Sequence, residues 1–156
     1  VNKLFKDEFW WVAKKGQQLS QLEEISIKDI NLNELLLLEE GHCLRDHAIE
    51  ACGPKTNNSI DQSFAATSLY TLLQMIDSGL GCTLLPEMVI KSGTLLGTEL
   101  IARPFSNKPP FREIALVKRK TDNNKTDFEL LSALIVSEKR QCSPTLGASR
   151  SKPIST

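Results

Sequence analysis

Four consecutive leucines, Leu35-Leu36-Leu37-Leu38, constrain this chain more than any other feature. Successive side chains of a strand point to opposite faces of its sheet. A strand that is apolar at every position must therefore be covered on both faces. The run is too short for a buried helix, and it stops at Glu39-Glu40-Gly41.

The flanking patterns supply the rest of such a fold. Glu8-Phe9-Trp10-Trp11-Val12-Ala13 reads as a strand, being dense in aromatic and β-branched residues. Residues 16–24 read as a polar loop, and residues 25–32 as one short helical turn. Residues 53–58 are turn-forming, and residues 62–66 suit a strand. Thr67 or Ser68 caps a helix in which Leu69, Leu72, Leu73 and Ile76 fall on one face, with Gly79 as its stop. Cys82–Leu85 reads as a strand ended by Pro86, and residues 100–103 and 113–117 as two more. A last helix over about residues 126–140 places Phe128, Leu131, Leu134 and Ile135 on one face. Strands alternating with helices predict an α/β lobe.

Composition narrows the function. The chain has 156 residues, 40% of them hydrophobic, so it can build a core. Its 19 basic and 19 acidic residues cancel, which argues against a nucleic-acid-binding module, whose affinity rests on surplus Lys and Arg. No apolar run approaches the length of a transmembrane span. The start, Val1-Asn2-Lys3-Leu4-Phe5, carries no signal-peptide pattern and no initiator Met, so the chain reads as a fragment or a processed product, and its sparse cysteines predict a cytoplasmic protein with reduced thiols. Four cysteines in such a length are too sparse for a disulfide scaffold, and a disulfide here would be sensory or catalytic.

The chemistry concentrates in His42-Cys43-Leu44-Arg45-Asp46-His47-Ala48-Ile49-Glu50-Ala51-Cys52. A thiol reacts as its thiolate, which neighbouring cations and a helix N-terminus favour. Arg45, His42 and His47 surround Cys43, and His47 is its i, i+4 neighbour if the segment is helical. Cys52 lies nine residues on, a rise of about 13 Å along a helix. A disulfide needs Cα atoms within roughly 7 Å, so the pair can bond only if the helix unwinds. Plainer readings stand beside this one. A free cysteine is most often a small buried hydrophobe, and Arg45 and Asp46 can be a solvated pair. A metal site from His42, Cys43, His47 and Cys52 lacks any standard zinc spacing. Cys82, in an apolar strand, reads as inert core, and Cys142 as incidental.

The run Glu39-Glu40-Gly41-His42-Cys43-Leu44-Arg45-Asp46, with a second cysteine nine residues after the first, resembles the sensor motif of OxyR-like, peroxide-sensing LysR-type transcription regulators. Phe64-Ala65-Ala66-Thr67-Ser68-Leu69 is similar to that family's entry to its next helix. Ser78-Gly79-Leu80-Gly81-Cys82-Thr83-Leu84-Leu85-Pro86 resembles a signature common across LysR-type effector domains. The resemblance runs from about Leu4 to Arg140. It implies that hydrogen peroxide oxidises Cys43 to a sulfenic acid, which Cys52 resolves as a disulfide. His42, Arg45 and Asp46 would shape the pocket and Arg112 would help stabilise the thiolate. No cofactor or metal is implied. DNA would be bound only by a helix-turn-helix absent from this chain, in a regulator that self-associates when full length. The family often carries Gln where this chain has His47, and Arg where it has Ala65.

The implied fold is a periplasmic-binding-protein-like α/β effector domain. Residues 6–106 would form its second lobe, residues 107–140 a crossover, strand and helix returning to the first lobe, and residues 141–156 a disordered tail. The prolines of Ser106-Asn107-Lys108-Pro109-Pro110 mark the break. Two other functions fit parts of the pattern: an effector domain that binds a small metabolite, and a thiol peroxidase. The first needs no cysteine pair. The second lacks the Thr-x-x-Cys pattern of peroxiredoxins.

Overall fold

The computed structural model describes residues 1–53, 65–119 and 124–141. Its strands are β1 (Asn2–Lys14), β2 (Cys82–Pro86), β3 (Leu100–Pro104) and β4 (Phe111–Leu116). Its α-helices are α1 (Cys43–Cys52), α2 (Leu69–Asp77), α3 (Glu87–Lys91) and α4 (Lys125–Gln141). The chain divides into two compact units, one of Lys6–Arg112 and one of Val1–Phe5 with the residues from Glu113 onward.

In the larger unit β1 is central, antiparallel to β2 on one side and β3 on the other, with Trp11 opposite both Leu84 and Arg103. The leucine run extends this sheet beyond β2. The Leu36 amide donates to the Cys82 carbonyl (2.8 Å), and the Ala66 amide donates to the Leu37 carbonyl (2.9 Å). The Thr83 hydroxyl donates to the Leu36 carbonyl (2.8 Å). Only single parallel bridges, Leu35 with Cys82 and Leu38 with Ala66, mark the pairing.

All four leucines are buried, and the twofold period of the strand sorts them. Leu35 and Leu37 join Phe9, Trp11, Cys82 and Leu84 on the face covered by Ala48 of α1. Leu36 and Leu38 join Val12 and Leu85 on the face covered by Leu72, Leu73 and Ile76 of α2. Helix α2 starts at Ser68, whose hydroxyl accepts from the Thr71 amide (3.1 Å). It closes with the Gly79 amide on the Ile76 carbonyl (2.8 Å).

Several local expectations are corrected. The polar stretch after β1 and the residues that follow contain three 3-10 turns, Gln18–Gln21, Ile27–Asp29 and Leu32–Glu34, where a loop and one helical turn were expected. Ser26 caps the second of them in a capping box with Asp29. β1 is longer than the aromatic run that marks it. Helix α3, directly after Pro86, carries no long apolar stripe and was not foreseen. Most of the expected strand at 62–66 lies outside the described residues, as does the expected tail beyond Gln141.

In the smaller unit Lys3 pairs with Glu113 (2.6 Å) and Lys139 lies over the Phe5 ring (5.1 Å). The apolar face expected for α4 is not the face it buries. Ser132 is its buried residue, Phe128 and Ile135 are half-buried, and Leu130, Leu131 and Leu134 are exposed.

Gly81 sits where β2 enters between the layers. A Cβ there would overlap the backbone carbonyl of Glu34, and the Gly81 carbonyl accepts from the Gln17 side chain (3.2 Å). Gly81→Ala is therefore expected to destabilise the fold by about 1–3 kcal/mol, read as a lower urea midpoint at unchanged slope. A midpoint equal to wild type would show that β2 tolerates a side chain at its entry.

Candidate redox site

Helix α1 begins and ends on glycines that no other residue replaces without strain. Gly41, with φ 93°, turns the chain into the helix, and Gly53, with φ 88°, turns it out and caps the Ile49 and Glu50 carbonyls. His42 is the N-cap, and its carbonyl accepts from the Arg45 amide (2.9 Å). Its side chain makes no capping bond, so the helix N-terminus keeps free backbone donors beside Cys43.

The helical period then separates the site residues. Cys43, the first helical residue, is exposed, as are His42 and Asp46. Arg45 and Ala48 point inward. Positions i and i+2 do not share a helix face, so Arg45 and Cys43 diverge. The Arg45 guanidinium, only 7% exposed, donates to the Leu38 carbonyl (3.1 Å). This anchors α1 to the leucine run.

Arg112 is likewise engaged. Its Nε and Nη2 contact one oxygen of Asp7 at 3.0 and 2.9 Å, and the other oxygen accepts from the Met88 amide (3.1 Å). Asp7 is fully buried, in the centre of an aromatic strand. Sequence reasoning passed over it, although an acid in phase with Phe9 and Trp11 on an alternating strand is a buried charge that needs a partner. Among the described residues neither Arg45 nor Arg112 hydrogen-bonds to the Cys43 sulfur. In this structure Arg45 holds α1 to the leucine run, and Arg112, through Asp7, holds the start of α3. His47 is half-buried, its ring centroid 6.4 Å from that of Phe9, with Nδ1 buried and unpartnered.

The two ends of α1 differ. Cys52 packs against the core, and burial pushes its thiol up to about 11. Cys82, in the same core, is pushed up to about 12, chiefly by burial. Neither is paired, and an unbroken ten-residue helix holds Cys43 and Cys52 apart. Among the described residues no group of three or more His, Cys, Asp or Glu is arranged to hold a metal ion. No described helix is long and apolar enough to cross a membrane.

The LysR substrate binding domain family matches residues 1–139. The chain belongs to that family. Its α/β architecture is accordingly the periplasmic-binding-protein-like fold of these domains. The HTH-type transcriptional regulator EstR of Acinetobacter baylyi is 38% identical over 132 residues, covering 84% of this chain and 43% of EstR. A probable hydrogen peroxide-inducible genes activator of Streptomyces viridosporus is 34% identical over 132 residues, covering 85% of this chain and 42% of that protein. The reduced regulatory domain of OxyR2 from Vibrio vulnificus superposes with a TM-score of 0.73 at 32% identity, over 86% of this chain and 63% of that one. The chain thus spans less than half the length of these two regulators.

The geometry sets an order of thiol reactivity. Iodoacetamide is expected to label Cys43 first, then Cys52, and Cys82 last. Cys52 is a neutral thiol below about 11, so its labelling should rise roughly tenfold per pH unit towards that value. Arg45→Ala removes a hydrogen bond from a charged donor, a loss of about 1.5–3 kcal/mol. That should open α1 and speed Cys52 labelling at pH 8 by about tenfold or more, with Cys43 changed far less. Equal labelling of Cys52 in both proteins would show that Arg45 does not latch the helix.

Proposed function

We propose that this chain is the C-terminal part of a peroxide-sensing regulatory domain, in which Cys43 is the oxidised thiol and Cys52 the resolving one. One observation carries the reading: two unpaired thiols stand at the two ends of a single helix, the first exposed and the second half-buried. The relatives named as hydrogen peroxide-inducible activators support it.

The chemistry follows from the helix. The Cys43 thiolate attacks one oxygen of hydrogen peroxide, giving a sulfenic acid and hydroxide, which takes up a proton to become water. Cys52 then displaces the sulfenic oxygen, again as water, and an S–S bond forms. While α1 is folded, Cys52 is both out of reach and held as a neutral thiol. Unwinding removes both barriers, since an exposed cysteine returns to about 8.5. Oxidation and melting of α1 are thereby coupled, which turns a local reaction into a conformational switch. His42 and Asp46 flank the thiol, while Arg45 and Arg112 act by positioning α1 and, through Asp7, the start of α3.

In this reading residues 6–106 are the second lobe of the effector domain, and the strand and helix within residues 107–140 close the first. DNA binding by a helix-turn-helix, self-association and a cytoplasmic location belong to the whole regulator. The similarity to EstR, whose name carries no peroxide, favours a second reading as a metabolite-binding effector domain.

A small excess of peroxide, followed by peptide mapping, separates the two. A Cys43–Cys52 disulfide should appear first. Cys43→Ser should form none at low peroxide, and Cys52→Ser should accumulate a sulfenic acid at Cys43 that dimedone traps. First oxidation at Cys82 or Cys142, or an inert Cys43, would rule out the peroxide reading.

A further inference from the structure

The proposed switch leaves Cys82 unused, and this thiol belongs to the same core cluster as the resolving one. Cys82 heads β2, and α1 packs across β2. Cys52 packs against the same core cluster that contains Cys82, together with Trp11, Leu35, Leu37 and Leu84. Cys52 adds a small coulombic contribution to the upward push on the Cys82 thiol. Cys82 itself is only 3% exposed. It lines the wall of a cleft of about 460 Å³, bordered by Trp11, Gln17, Leu19, Asn31 and Glu34, that opens on the protein surface. The indole N–H of Trp11 is buried without a well-formed hydrogen bond, yet it lies close enough to the Cys82 sulfur to offset a little of the effect of burial.

The two possible disulfides of Cys52 differ in what they ask of α1. A bond to Cys43 requires the helix to be unwound, because its ends are about 13 Å apart when folded. A bond to Cys82 joins two residues that already share a cluster when the helix is intact. Refolding of α1, with Arg45 on the Leu38 carbonyl and Ala48 in the core, therefore opposes the first disulfide and favours the second.

We propose that Cys82 is a third redox thiol, which takes Cys52 over from Cys43 by disulfide exchange, so that α1 refolds and Cys43 is returned reduced. This rests on the reading of Cys43 and Cys52 given above. The exchange is balanced within the chain. The Cys82 thiolate, its proton released to solvent, attacks the Cys52 sulfur. The Cys43–Cys52 bond breaks, the Cys52–Cys82 bond forms, and the Cys43 thiolate leaves and regains a proton. No oxidant or reductant is consumed. Because burial keeps Cys82 protonated, the transfer is slow beside the formation of the first disulfide, and the switch carries its own timer.

The test is a time course on the whole chain. Reduced protein receives a pulse of peroxide, catalase ends it, and samples blocked with iodoacetamide are mapped by mass spectrometry. Cys43–Cys52 should form first, then decay into Cys52–Cys82 as alkylatable Cys43 returns. The transfer should quicken roughly tenfold per unit between pH 7 and 9, as the thiolate share of Cys82 grows. Cys82→Ala should hold the protein at Cys43–Cys52, and Cys43→Ser should form no Cys52–Cys82 bond. A Cys43–Cys52 disulfide that persists in the wild type at every pH overturns the relay and leaves the sensor reading standing. A Cys52–Cys82 bond that forms as fast in Cys43→Ser shows direct oxidation and also overturns it. If neither disulfide forms in the wild type, the sensor reading fails and the relay with it.

Discussion

The structure depends on the leucine run being hydrogen-bonded between two neighbours while both its faces are dry. Backbone amides and carbonyls buried in such a place must be paired, and Leu36 and Leu37 find their partners in Cys82 and Ala66. With the backbone satisfied, the side chains divide by the twofold period, and each half needs a covering helix. Helix α1 covers one face and α2 the other. Removing either would expose a row of leucines, so the position of α1, and with it of the proposed redox site, is a consequence of core formation. The chemistry is placed on a part of the fold that cannot move without exposing apolar surface.

That placement gives α1 two faces with two duties. Its inner face carries Arg45, on a carbonyl of the leucine run, and Ala48, in the core. Its outer face carries Cys43 and Asp46. A helix anchored by one guanidinium and Ala48, with Leu44, Ile49, Ala51 and Cys52 only partly buried against the core, is an element that a covalent event can displace. Large residues such as Trp11 and Phe9 belong to the strand beneath and are not lost when α1 opens. The Asp7–Arg112 pair steadies the neighbouring α3 through the Met88 amide. A buried ion pair of this kind adds little net stability, but it is costly to break, and it fixes one arrangement of strand and helix.

The legible parts were those governed by short-range periodicity. The leucine run, the stripe of α2, the Ser68 cap and the strands at residues 8–13 and 82–85 could all be read from spacing and residue type. The helical span of residues 43–52 stayed open in the sequence, and the structure supplies it, with Gly41 and Gly53 at its two ends. Of the 3-10 turns before α1, the one within residues 25–32 was anticipated and the other two escaped notice, since turns so short have no period to detect. The five residues of α3 did as well. For α4 the pattern was real: residues three and four apart mark a stripe, yet they do not say how much of it this chain buries.

Sequence by itself determined that Cys43 and Cys52 lie nine residues apart, and hence that they cannot bond across that segment if it is a folded helix. This follows from the rise of a helix and needs no knowledge of the surroundings. Only the tertiary structure decided where the cations go. In sequence Arg45 stands two residues from the thiol, but helical phase turns it inward to Leu38. Arg112 meets Asp7 although 105 positions separate them. Tertiary structure alone also brought Cys82, thirty residues from Cys52, into the same core. Which groups meet across a sheet depends on strand order and register, and those are settled by packing whole layers together rather than by any local run of residues.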